Sequence, residues 1–125
     1  MQQYTILFVE DVETCSEPLT RVLRRNGYRV LRAARVRQAV SLLEENNVDL
    51  ILVDLALPDV GGAELIETIR ATEEWRDLAV IVFSSWGEID RMSLDLRISA
   101  WLTKSLASMK DLKQAIAEAL RKTRR

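Results

Sequence analysis

The chain has no histidine. That removes a Ser-His-Asp site, histidine-ligated zinc and a histidine phosphocarrier from its own chemistry. Acid–base work is left to carboxylates, lysine or water. The single cysteine, Cys15, has no internal disulfide partner, which fits a reducing compartment and predicts a cytoplasmic protein. No apolar run is long enough to cross a bilayer, so no membrane role is expected. The N-terminal M-Q-Q-Y-T-I-L-F-V has no basic region and leads straight into a strand pattern, unlike a signal peptide. No Gly-rich phosphate loop follows the first strand pattern, which argues against a metal-assisted phosphohydrolase of that type. There is no internal repeat, no low-complexity segment and no DNA-binding motif. The net charge of −1 gives no overall pull towards nucleic acid or membrane.

What is present suits one compact domain spanning all 125 residues, with 48% hydrophobic content. The organising stretch is V-D-L-I-L-V-D-L-A-L-P-D-V-G-G, Val48 to Gly62. Its apolar run, Leu50 to Val53, is short and branched, as in a buried parallel strand, and it ends on Asp54. Open α/β sheets place ligands at such strand ends. A carboxylate there needs a metal, a cation or a chemical task, or it only caps the following turn.

Around this stretch the pattern alternates. Strands are predicted at Tyr4–Val9, Tyr28–Ala33, Ala79–Phe83 and Ala100–Leu102. Helices are predicted from Thr14 or Ser16 to the stop at Gly27, then at Val36–Asn46, Ala63–Ala71, Glu88–Leu96 and Ser108–Lys122. The late start of the first helix would keep Pro18 in its first turn. Five β-α repeats imply a parallel sheet with helices on both faces. Residues 122–125 read as a basic tail or the start of a linker. The arginines between Arg21 and Arg37 read first as solvated faces and second as a surface for an acidic partner. Trp75 is expected to pack a loop onto the sheet, and Trp86 lies in the loop most suited to move.

Four strand ends carry polar groups: Glu10-Asp11, Asp54, Ser84 and Lys104. In a parallel sheet these share one rim. With strand order 2-1-3-4-5, Asp11 and Asp54 face each other where the winding reverses. Clustered carboxylates with open positions suit Mg²⁺. With the lysine and the hydroxyl they form a cradle for a phosphoryl group.

L-F-V-E-D, L-I-L-V-D-L-A-L-P-D-V-G-G, A-V-I-V-F-S-S and S-A-W-L-T-K, in this order and spacing, resemble the receiver domains of two-component response regulators. The resemblance implies a flavodoxin-like (βα)5 three-layer sandwich. It implies that Asp54 accepts a phosphoryl group from a sensor histidine kinase or phosphotransfer protein. Mg²⁺ would be bound by Asp11, Asp54 and the Ala56 backbone carbonyl, and by Glu10 through water. Lys104 would pair with phosphoryl oxygens and Ser84 would swing in to them, with Trp101 as switch aromatic. The output surface would be the predicted fourth helix, fifth strand and fifth helix, acting on an effector still to be identified; a homodimer would use the same face. Such a domain is a signalling switch rather than a turnover enzyme. Departures from the family pattern are Glu10 for an aspartate, Trp101 for tyrosine or phenylalanine, Ser99 for glycine and Ser105 for proline. With Ser105, a trans peptide and a shifted Lys104 loop are expected. A receiver-like module that docks without phosphorylation is the alternative.

Overall fold

The computed structural model describes residues 3–11, 13–57, 61–85, 89, 97–104 and 107–123. The strands are β1 (Thr5–Val9), β2 (Arg29–Ala33), β3 (Leu50–Val53), β4 (Ala79–Ser84) and β5 (Ala100–Thr103). The helices are α1 (Glu13–Arg25), α2 (Val36–Glu45), α3 (Gly62–Ala71) and α4 (Met109–Thr123). All strand pairs are parallel, in the order β2-β1-β3-β4-β5. This is the doubly wound sheet expected from the alternation.

Successive residues of a strand point to opposite faces. Both faces of the inner strands are apolar, so each strand feeds two cores. Leu7, Val9, Ile51, Val53, Val80 and Val82 pack with α2 and α3. Ile6, Phe8, Leu50, Leu52 and Ile81 pack with Leu19 and Leu23 of α1 and Leu112, Ile116 and Leu120 of α4. The sheet is thereby enclosed in a three-layer sandwich. Trp75 packs against the α2/α3 core, as expected for a loop anchor.

Helix α1 starts at Glu13, one residue before Thr14 and three before Ser16, so Pro18 lies beyond the first turn. An interior proline removes a helix hydrogen bond and costs about 3 kcal/mol. It is carried because Leu19 and Leu23 are fixed in the core while Pro18 is exposed. The side chains of Thr14 and Ser16 are outside the description. Gly27, at φ 92°, ends the turn after α1, as its position predicts. Helix α4 continues through Lys122 to Thr123, so the basic tail is in part helix. The expected helix 88–96 lies outside the described residues except for Ile89. The same holds for Trp86 and for the peptide into Ser105.

Ser108 precedes α4 and closes a reciprocal cap. Its N–H donates to Asp111 Oδ2 at 2.9 Å, and the Asp111 N–H donates to Ser108 Oγ at 3.1 Å. The Ser108 backbone N–H holds the Asp111 carboxyl below its ordinary 3.8. A depressed carboxyl contributes stability above the ordinary value and loses it as pH falls through the folded one. Asp111→Asn is therefore expected to lose less stability than the wild type on acidification to about pH 3, measured by denaturant unfolding.

Candidate phosphoacceptor site

The sheet register builds the site. Val9 pairs with Val53, and the Asp54 N–H donates to the Val9 carbonyl at 3.0 Å. Glu10 and Asp54 therefore leave the ends of neighbouring strands together. Ser84 pairs with Thr103 across β4 and β5, and the Lys104 N–H donates to the Ser84 carbonyl at 2.9 Å. Four residues far apart in sequence thus reach one rim through backbone pairing.

Asp54 is buried, and both its oxygens are engaged. Oδ1 accepts from the Ala56 N–H at 3.0 Å and from Ser84 Oγ at 2.7 Å. Oδ2 accepts from Lys104 Nζ at 2.7 Å. The Ser84 hydroxyl in turn accepts the Leu55 N–H at 3.2 Å. Lys104 Nζ also donates to Glu10 Oε1, so one ammonium bridges two buried carboxylates. Burial raises the Glu10 carboxyl above its ordinary value; Lys104 opposes the rise, and the charges of Asp54 and Asp11 add to it. Burial would lower Lys104, but its bonds to Asp54 and Glu10 outweigh this and raise it.

The turn after Asp54 is tight. Gly62 opens α3 with its N–H on the Leu55 carbonyl at 2.9 Å. A Cβ on Gly62 would lie 2.4 Å from the Asp54 carbonyl oxygen and 2.6 Å from Leu55 Cα. The sequence marks Gly61-Gly62 only as a break in pattern. That glycine lets α3 close against the backbone of Asp54, a role visible only once the loop is folded back.

Of the residues expected at the site, Glu10, Asp54, Ser84 and Lys104 come together. Asp11 is exposed on the rim, where a cavity of about 300 Å³ is lined by Glu10, Asp11, Arg32 and Gln38. Among the described residues no three acidic, cysteine or histidine side chains gather as a metal-binding group. Instead Lys104 occupies the position between Glu10 and Asp54, the cation that clustered carboxylates require. Ala56 contributes its N–H to Asp54. Trp101 stands on the edge strand β5, 40% exposed, and takes no part in these hydrogen bonds.

The family model for the response regulator receiver domain matches residues 6–117, a span that holds all of these groups. The chain belongs to the response-regulator receiver family. This receiver domain is 31% identical over 121 residues to the phosphate regulon transcriptional regulatory protein PhoB of Pseudomonas aeruginosa, covering 95% of the chain and 52% of that protein. The chain thus spans about half the length of that relative. It is 27% identical over 100 residues to the sporulation initiation phosphotransferase F of Bacillus subtilis, covering 80% of the chain and 79% of the relative. In structure it is similar to the signal receiver domain of a signal transduction histidine kinase from Syntrophus aciditrophicus, with TM-score 0.88, 26% identity and coverage of 98% and 93%. Among the described residues, no helix of the receiver domain is long and apolar enough to cross a membrane.

Proposed function

We propose that Asp54 accepts a phosphoryl group from a phosphohistidine on a cytoplasmic kinase or phosphotransfer protein, and that this charge change is the signal. The observation that carries the reading is the hydrogen-bonded set on Asp54: Ser84 on one oxygen and Lys104 on the other. One Asp54 oxygen forms a bond to phosphorus as the phosphorus–nitrogen bond of the donor breaks. The imidazole leaves with the electron pair. Lys104 and the Ser84 hydroxyl are placed to follow the charge onto the phosphoryl oxygens, which carry about −1.5 to −2 charges in a monoester. The lysine would then trade its bond to Glu10 for one to the new anion.

The donor set fits a hard divalent cation. Glu10 and Asp54 carry two buried carboxylates against one ammonium, which leaves negative charge uncompensated, and Asp11 shares a rim cavity with Glu10. Asp11, Asp54 and the Ala56 carbonyl would hold Mg²⁺, with Glu10 reaching it through water. When bound, the ion would stabilise charge on the transferring oxygens. The domain acts as a switch and not as a turnover enzyme. Its output would pass through β5, α4 and the segment preceding β5.

Incubation with Mg²⁺ and a small acyl phosphate, read by intact mass, tests this. The expected result is a gain of one phosphoryl group that needs Mg²⁺ and is absent in Asp54→Asn. A folded protein that gains no mass would favour the docking-only alternative.

A further inference from the structure

The arginines of residues 18–43 lie on the two helices and the outer strand at one edge of the sheet. The segment holds Arg21, Arg24, Arg25, Arg29, Arg32, Arg35 and Arg37, with no lysine and no carboxylate. The formal charge of −1 therefore splits into +7 here and −8 over the rest of the chain. The fold strings these arginines along one edge of the sheet from rim to rim, with Glu17 of α1 and Glu44 and Glu45 of α2 at its margins. β2 is an outer strand of the sheet, flanked by α1 and α2. Arg24 and Arg25 close α1 at the rim opposite Asp54, Arg29 and Arg32 lie on β2, and Arg35 and Arg37 open α2 at the Asp54 rim. Six of the seven are exposed, and Arg32 is half-buried. Glu17 pairs with Arg21 and Arg32, while Arg24 and Arg29 donate to the neutral oxygens of Val30 and Asn46.

We infer that this arginine-lined edge is a docking surface for a carboxylate-rich protein. Arginine presents a planar fork that pairs with carboxylates two bonds at a time. Charged side chains along an edge strand also discourage another strand from adding to it, so a partner would engage through side chains. A protein partner fits better than nucleic acid because of the remaining −8. A uniformly charged duplex would be repelled by the rest of the chain, whereas a local acidic patch meets the arginines alone.

The test uses a labelled peptide of alternating glutamate and glycine, followed by fluorescence anisotropy at low salt. The belt variant is Arg21/Arg25/Arg35/Arg37→Gln. The control, Lys110/Lys113/Arg121/Lys122→Gln, removes the same charge from α4. The belt variant is expected to bind at least about tenfold more weakly, and the control within about twofold of the wild type. On the wild-type protein, peptide titration is expected to shift the backbone amide signals of residues 21–37, a readout independent of how the variants fold. Equal losses in both variants, or shifts spread over the whole surface, would overturn the inference. Tighter binding of a DNA duplex than of the peptide would assign the edge to nucleic acid instead. Concentration-dependent self-association lost in the belt variant would assign it to a second copy of the chain.

Discussion

Lys104→Met is expected to destabilise the domain by about 3 kcal/mol at neutral pH and to reduce phosphoryl acceptance by orders of magnitude. The lysine is the cation shared by Glu10 and Asp54, two side chains that are almost wholly buried. Methionine keeps the length and apolar stem of the side chain but leaves two carboxylates facing each other without it. Removing one partner of a buried ion pair costs far more than the pair contributes, because the remaining charge is stranded. The lysine is partly open to water, which places the effect at the lower end of that range. The pH dependence follows from Glu10. Its carboxyl is raised above 4.5 by burial, and loss of the ammonium would raise it further. A raised group gives stability that is complete below its ordinary value and is lost as pH rises through the folded one. The penalty of Lys104→Met should therefore be largest near neutrality and shrink on acidification towards pH 4.5, as urea unfolding at a series of pH values would read. A pH-independent penalty would contradict the shared-cation reading.

Gly62→Ala is the second change with a large expected effect, although it adds one methyl group. The new Cβ meets backbone atoms of Asp54 and Leu55 at 2.4 to 2.6 Å, and backbone cannot turn aside as a flexible side chain can. Either α3 moves away from the sheet or the Asp54–Leu55 turn shifts. About 3 kcal/mol is expected for such overpacking. Because the Leu55 and Ala56 N–H groups hold the Ser84 hydroxyl and the Asp54 carboxylate, the shift should also slow phosphoryl acceptance. Gly27→Ala is the matched control. Its φ of 92° strains any side chain, yet a Cβ there meets nothing within 4 Å. About 1 kcal/mol and unchanged acceptance are expected for it. Equal effects from the two substitutions would show that backbone freedom, and not close approach, is what Gly62 supplies.

The contrast between these two residues shows what could be read before folding. Lys104, Asp54, Ser84 and Glu10 were legible because a parallel sheet forces all strand carboxyl ends to one rim. Strand ends are marked by an abrupt change from apolar to polar residues. Leu50 to Val53 ending on Asp54 is as clear a signal as a sequence gives. The parallel sheet followed from the same alternation, and its order from the family resemblance. The direct bridge from Lys104 to Glu10 was not legible, since spacing places residues on a rim but does not choose their partners. Nor was the role of Gly62, whose Cβ position meets the chain seven and eight residues back only after the turn closes. Pro18 misled in the usual way for local propensity. The core contacts of Leu19 and Leu23 hold α1 together across a proline that the helix alone would not tolerate.

The central claim is that Asp54 carries the phosphoryl group. An acyl phosphate is reduced by borohydride to an alcohol, while a free carboxylate is not. The protein should be treated with Mg²⁺ and a small acyl phosphate, reduced, digested and sequenced by mass spectrometry. Homoserine is expected in place of aspartate at residue 54 and nowhere else. Intact aspartate at 54, with homoserine at another position or none, would contradict it.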